Sequence, residues 1–536
     1  MAFIHLPPVF SDHMILQRNK PIRISGSCTE CKTLRIVLGS DEAAVSVKND
    51  HFSCVLPARK EELSLTMRFY ADDSKEPVHV ISDISVGDVW MACGQSNMEY
   101  FLRYDAHWND TKREARNPMI RMFNVPRISY EGQERELKDS GFWFSEGSQA
   151  WPSFSAPGHA FARTIQPRIH VPVGIIGCNW GGTPACAWMS EESLSVPPLT
   201  IFREEYDQAV AQYDDSPGLL EKESMGAIEF ENSYAHDMEW RAVMYGLTES
   251  EQAEWMAVHA DDPVLPMGPW HHYRPSGLRH TMLETVAPFS ICGFLWYQGE
   301  SDSGHADIYD ITMKALISDF RNLWQDPSLP FLYVQLAPFG RWLDCTNDGY
   351  AMVRRQQDKV SREVSGAYMT SIMDLGSWED IHPKFKKEVG ERLASLALGH
   401  VYGLPVQCDP PEAETITAEV GSVTVFTIRF RNACDGLFGD VSDLSAFRIR
   451  FGEETMDLSG CSSGAEGNGS ALSVRCDTLI LRLDSALISA AMERNHTRSA
   501  EISYADLDYC EVRIWNSEGL PVKPFRLTVR IPEQKA

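Results

Sequence analysis

VGDVWMACGQSNMEY, residues 86–100, joins an apolar run to a polar turn, and the reading of that junction decides the fold. VWMAC is almost uninterrupted in its apolar character, which suits a strand buried on both faces within a parallel sheet. Ser96 then stands at the carboxyl end of that strand, the edge at which open α/β sheets bind ligands. Two readings of the serine fit: an activated nucleophile, or a polar residue that closes a turn or caps a helix. GQSNM is not G-x-S-x-G, because Met98 stands where the second glycine belongs. A tight nucleophile elbow is therefore not expected, and a looser turn into a helix near Met98 is.

Upstream, residues 1–86 read as short alternating strands (PIRISGS, TLRIVLG, AAVSVKN, HFSCVLP, LSLTMRFYA, VHVISDI) divided by polar turns. Many short strands without helices predict an N-terminal β-sandwich domain. Downstream, further apolar runs (VPVGIIGC, ICGFLWYQG, PFLYVQLA, AYMTSIMD) alternate with helical stretches over 87–405. That rhythm predicts a parallel sheet covered by helices on both faces. KKEVGERLASLALGHVYG closes it as an amphipathic helix ending near Gly403. Beyond the Cys-Asp-Pro-Pro linker, strands return over 409–536 (SVTVFTIRF, FRIRF, LSVRCDTLILRL, EISYAD, CEVRIWN, FRLTVR) as a C-terminal β domain, with SSGAEGNGS as a loop. An acidic, helix-rich insertion over about 195–272, ending in PMGPWHHYRP, either shapes the substrate mouth or is a solvated helical hairpin.

Composition narrows the partners. Lys+Arg 49 against Asp+Glu 75 leaves a net charge of −26, a field that repels nucleic acid and anionic membranes. No segment is long and apolar enough for a membrane span, and the first residues lack a secretory pattern, so a cytoplasmic protein is expected; a chain trimmed of its signal would read the same. The 13 cysteines are scattered and largely inside apolar runs, which predicts reduced thiols rather than a disulfide framework. Cys28 and Cys31 form a C-x-x-C without a second pair, and read as two cysteines at a strand turn rather than as zinc or redox chemistry.

A nucleophilic serine needs a base and donors for the developing oxyanion. His382, in WEDIHPKFKKEVGERL, follows the last apolar run of the sheet, with Asp380 and Glu379 close enough in sequence to orient its ring. The same stretch also reads as a helix start capped by Asp380, with His382 merely exposed. Gly181 and Gly182 follow the second strand and Gln298 the third, each placed to donate an N–H, although glycines also make turns. Glu300 and Asp302 raise the alternative of a metal or glycosidase carboxylate pair.

GQSNM, WGGTP, WYQGES and DIHP, in that order, resemble the four blocks of the SGNH-hydrolase superfamily, and more closely the sialate O-acetylesterase (9-O-acetylesterase) family. LPPVFSDHMILQR and PSGLRHTML extend the resemblance across about residues 6–400. It implies a flavodoxin-like three-layer α/β/α catalytic domain, flanked here by the two β-sandwich-like domains, and a serine carboxylic-ester hydrolase that removes O-acetyl groups from sugars. Ser96 is then the nucleophile, His382 the base and Asp380 its acid. Ser96 N–H, Gly181 and Gln298 form the oxyanion hole, and neither metal nor organic cofactor is required. The superfamily's general block is D-x-x-H, which here places Glu379 at the acid position and leaves Asp380, Glu379 or a backbone carbonyl to orient the ring.

The expected partner is an O-acetylated sugar or glycan. A 9-O-acetylated sialic acid carries a carboxylate, for which Arg103, Arg279 and Arg341 are candidates, with Trp180 as a wall. Acetylxylan or another neutral plant polysaccharide needs aromatic platforms instead, for which Trp108, Trp180, Trp188, Trp342 and Trp378 are available. A non-catalytic carbohydrate-binding protein built on the two β domains is the reading of a different class.

Overall fold

In the computed structural model, residues 2–533 are described, except 214, 215, 217, 288, 344, 347, 441–443 and 460–470. The SSGAEGNGS segment therefore lies outside the described residues. Alternation near the amino terminus becomes antiparallel strands with one buried face, as in His51–Leu56, where Phe52, Cys54 and Leu56 point inward. Three strands of this region lead into the site: β1 (Ile15–Gln17), β2 (Glu62–Ala71) and β3 (His79–Gly94). VHVISDI and VWMACG, which read as two strands, are one strand of 16 residues. The polar interruption at Asp83 is a bulge with φ +53, and the register against β2 shifts nearby. The boundary expected at residue 86 thus falls inside β3. Buried residues from Ile4 to Cys408 form one contiguous apolar core, so the amino-terminal strands and the α/β part share their interior.

The second half of β3 is the centre of a sheet completed by β4 (Ile120–Asn124), β5 (Trp143–Ser145), β6 (Val173–Asn179), β7 (Gly293–Tyr297), β8 (Phe331–Val334) and β9 (Ala367–Thr370). Their order is β5-β4-β6-β3-β7-β8-β9, parallel except for β5. Asn179 and Tyr297 both pair with Gly94, so three loops leave the sheet at one level. Gly94 is required there: its φ is +137, and a Cβ would lie 2.2 Å from the Tyr297 carbonyl oxygen.

Helix α1 (Ser96–Glu99) is a single turn. Helix α2 (Ala156–Ile169) starts at Ser155, whose hydroxyl accepts from Gly158 N–H at 3.1 Å and donates to the Met98 carbonyl at 2.6 Å, tying α2 to α1. The insertion forms the helices Ile201–Ala211, Leu219–Glu231, α3 (Tyr234–Gly246) and α4 (Glu249–Val258). Downstream come α5 (Tyr350–Glu363) and α6 (Lys386–Leu396), the latter running on as a wider turn over Ala397–Val401. Gly390 of α6 permits close packing on α2, since a Cβ there would sit 2.4 Å from the Pro157 carbonyl oxygen.

The carboxyl-terminal strands, from Glu412 to Arg530, surround a second apolar core centred on Phe426, Ile449 and Ile502. A helix at Ser485–Arg494 stands where only strands were expected; Asp484 caps it, accepting from Ala486 N–H at 2.7 Å. This unit docks through polar contacts, with Lys523 Nζ 2.6 Å from both Asp358 of α5 and Glu412. One cysteine expectation is corrected: Cys28 and Cys31 are joined by a disulfide. Cysteines within the apolar runs, Cys54, Cys93, Cys178 and Cys292, are free. Among the described residues no helix is long and apolar enough to cross a membrane.

Candidate active site

Ser96 opens α1 directly beyond β3 and is 8 % exposed. Its hydroxyl makes no hydrogen bond among the described residues. The neighbouring Asn97 links three loops. Its Nδ2 donates to the Ile381 carbonyl at 3.0 Å and to Glu300, and its Oδ1 accepts from Lys386 Nζ at 2.6 Å. The Ser96 turn, the Gln298 loop and the His382 loop are thereby held together.

His382 is buried, its ring gripped edge-on by Tyr245 at 5.2 Å and Trp342 at 5.4 Å between centroids. Its Nδ1 is buried without a hydrogen-bond partner. The expected orientation of the ring by Asp380 is corrected: Asp380 Oδ1 instead accepts the backbone N–H of His382 at 2.7 Å. This is the arrangement of a short polar residue capping the chain two residues on. Burial, reinforced by Lys386, pushes the imidazole down to about 3, so it is neutral at physiological pH. Lys386 itself is buried. It lies over the rings of Tyr100 and Tyr297 at 5.0 and 5.4 Å, with no carboxylate at ion-pair distance among the described residues. Burial lowers it to about 7 against the opposing pull of Asp380, Glu300 and Asp105.

The expected oxyanion donors are largely engaged. Gly181 N–H donates to Glu99 Oε2 at 3.0 Å. Gln298 is fully buried; its Nε2 donates to Asp302 and, at 3.3 Å, to the Thr183 carbonyl, while its Oε1 accepts from Tyr309 at 2.8 Å. Gln298 is thus a brace between loops and has no N–H left for a ligand. The Ser96 and Gly182 amides have no acceptor among the described residues. Gly182 needs to be glycine, with φ +76 and Tyr273 Oη 1.9 Å from where a Cβ would be.

Glu300 and Asp302 diverge. Asp302 faces Gln298 and Ala185 N–H (2.9 Å), whereas Glu300 faces Asn97 and keeps Oε2 buried without a partner. Burial raises both carboxyls. They do not converge as a metal or glycosidase pair.

None of the arginines singled out in the sequence bonds Ser96 or His382 among the described residues. Arg103 holds Ser153 and the Pro152 carbonyl, Arg279 pairs with Glu284 at 3.2 Å, and Arg341 is exposed, 3.7 Å from Glu249. Trp180 is buried, stacked on His272 at 4.7 Å with Arg135 at 5.2 Å, so its faces are already covered. At the end of the Ser96 turn, Glu99 instead gathers Arg127 and Arg241, 2.6 and 2.7 Å from its Oε1. Burial alone would raise the Glu99 carboxyl, but Arg241 and Arg127 hold it below the usual range. Both arginines also reach Asp237, which Arg135 binds at 2.7 Å. Arg241, Asp237 and Tyr245 all belong to α3, so the insertion forms a wall of the site. No local spacing announced these partners; the only sequence signal was the placement of the insertion.

Comparison with known proteins places the chain near carbohydrate esterases in sequence and fold. Residues 274–398 match the family model described as "Carbohydrate esterase, sialic acid-specific acetylesterase". The sialate O-acetylesterase of Mus musculus is 25 % identical over 350 residues, covering 60 % of this chain and 58 % of that protein. That of Homo sapiens is 24 % identical over 347 residues, with 60 % and 55 % covered. The chain thus spans a little over half the length of these relatives. A carbohydrate acetylesterase from Xanthomonas citri shares the fold across 98 % of this chain and 99 % of that one, with a TM-score of 0.69 at 22 % identity. The chain is thus similar to the sialate O-acetylesterases over about 350 residues, and its residues 274–398 resemble a carbohydrate-esterase family.

Proposed function

We propose that this chain is a serine O-acetylesterase acting on O-acetylated sugars, with Ser96 as nucleophile and His382 as base on a three-layer SGNH-type domain. The observation that carries it is the convergence, through Asn97, of the Ser96 turn and the loop of a buried, neutral His382 at the carboxyl edge of the parallel sheet. His382 takes the Ser96 proton, and Oγ attacks the acetyl carbonyl carbon. The oxyanion lies against the Ser96 and Gly182 amides, which still lack acceptors. The tetrahedral intermediate expels the sugar oxygen, which takes the proton from His382. Water then attacks the acetyl-enzyme, returning the proton to Ser96 and releasing acetate. Asp380 is a positioning residue for the His382 backbone rather than a partner of its ring.

The family resemblance favours 9-O-acetylated sialic acid as substrate. A second reading, a neutral acetylated polysaccharide such as acetylxylan, is favoured by two exposed aromatic residues flanking His382, Trp378 and Phe385, each 49 % exposed. Sugar faces stack on such rings without needing a cation. Acetate release measured in parallel on 9-O-acetylated sialic acid and acetylated xylan, with Ser96→Ala as control, decides between them. Preference for the sialic acid supports the first reading and preference for xylan the second. Undiminished release by folded Ser96→Ala overturns both.

A further inference from the structure

At the far end of the sheet from Ser96, the chain gathers three different metal-binding donors in ten residues. His400 lies in the wide turn that ends α6, and Cys408 and Asp409 follow in the linker to the carboxyl-terminal unit. One donor atom from each of the three lies within 4.8 Å of the others, and His400 Nε2 is 2.9 Å from Asp409 Oδ1. Tetrahedral zinc, with bonds of about 2.0–2.3 Å, holds its donors roughly 3–4 Å apart, so closure needs shifts of at most roughly 1–2 Å.

The surroundings fix the donors. Tyr368 of β9 stacks on the His400 ring at 4.0 Å between centroids, with planes 7° apart, which sets the direction of its nitrogens. Gly399 lets the Cys408 thiol approach: a Cβ there would be 2.5 Å from Sγ. Cys408 is 5 % exposed, whereas the His400 and Asp409 side chains keep 25 % and 39 % of their surface, leaving a side open to water as fourth ligand. Two prolines, 410 and 411, then stiffen the exit, and the Pro411 carbonyl accepts Lys523 N–H of the carboxyl-terminal unit at 3.0 Å.

We propose that His400, Cys408 and Asp409 form a structural zinc site that clamps the end of α6 to the start of the carboxyl-terminal unit. An imidazole, a thiolate and a carboxylate together suit zinc, while a thiolate is a poor ligand for calcium or magnesium. The role is structural because Tyr402, beside the cluster, hydrogen-bonds Asp88 near the amino end of the parallel part of β3, whereas Ser96 follows its carboxyl end. The ion therefore stabilises the joint between the two cores and has no part in ester hydrolysis.

The test uses the full chain, stripped with chelator and titrated with Co2+, which reports thiolate ligation by a near-ultraviolet charge-transfer band and tetrahedral geometry by intense visible bands. The expected result is one equivalent of Co2+ with both signatures, displaced by Zn2+ and absent in Cys408→Ser. Zn2+ should also raise the unfolding midpoint by roughly 5 °C. Should the buried Cys408→Ser fail to fold, the more exposed His400→Gln serves instead, with affinity for Co2+ falling at least tenfold. Absence of the charge-transfer band overturns the site. So does a band that survives Cys408→Ser, which would belong to other thiols such as Cys345 or Cys476, or unchanged affinity in His400→Gln.

Discussion

Asp88 lies near the start of the parallel part of β3, and Ser96 follows its end; these two places treat buried polar groups in opposite ways. At the first, the Asp88 carboxylate accepts from Gln17 at 3.0 Å, from Arg18 at 2.9 and 2.8 Å and from Tyr402 at 3.1 Å. Gln17 in turn accepts Val89 N–H at 2.8 Å, and Trp90 donates to Tyr402 at 3.1 Å. At the second, His382 Nδ1, Glu300 Oε2 and Tyr297 Oη are buried with no partner. Each such orphan costs on the order of 1–3 kcal/mol. Under the proposed function the orphans at the second end are reactive groups, and the contrast separates an end built for stability from an end built for chemistry.

The largest effect should come from the second end. Replacing His382 by Ala is expected to lower kcat for acetate release roughly 10^4-fold with the unfolding midpoint nearly unchanged. A loss under tenfold would mean that the orphaned nitrogen is only a packing flaw and the contrast empty. At the first end the reverse is expected. Asp88→Ala leaves Arg18 without its buried partner and should cost about 3 kcal/mol in urea unfolding, with kcat of the folded fraction intact. Lost activity at full stability would break the comparison from the other side.

Lys386 sharpens it through pH. The unfolded imidazole titrates near 6.5, while burial and Lys386 hold the folded His382 at about 3. The folded base therefore stays unprotonated, and the acidic limb of kcat/KM should lie below pH 5. For stability the sign is the same as for any depressed group. The contribution is fully present above about 6.5 and falls with pH, as the unfolded chain takes a proton that the folded one refuses. Lys386→Met removes the cation, so the folded value rises and the acidic limb should move up by about one pH unit. A pH–rate profile that coincides with wild type would show that Lys386 does not act on the histidine.

The parts of this contrast that were legible in the sequence are local ones. Alternation marked the amino-terminal strands and near-continuous apolar runs the parallel ones, because burial of one or both faces is written directly into spacing. The continuity of β3 was hidden, since the change from alternating to continuous apolar character at Val86 reads as a domain boundary, whereas the strand runs straight through it. The Glu99–Arg127–Arg241–Asp237 network was also hidden, because it joins residues up to 142 positions apart through a helix with no motif. Gln298 was misread for a related reason. A side-chain amide at a strand end can donate to a ligand, but the partners that engage it, Thr183 and Asp302, come from folding.

The smallest effect concerns Asp380, where chain order and geometry disagree most narrowly. Two residues before a histidine, a carboxylate suits a triad, in which conversion to the amide costs roughly 10^4-fold by fixing the wrong tautomer. Here the carboxylate accepts a backbone N–H at 2.7 Å, and an asparagine oxygen accepts that hydrogen equally well. Asp380→Asn should therefore lower kcat less than tenfold and cost about 1 kcal/mol or less, whereas Asp380→Ala, which removes the acceptor, should cost about 1–2 kcal/mol in urea unfolding. A loss of several thousandfold in Asp380→Asn would mean that Asp380 turns to the ring when substrate binds. Nδ1 would then be an orphan only in the free protein, and the second end of β3 would differ from the first in timing rather than in kind.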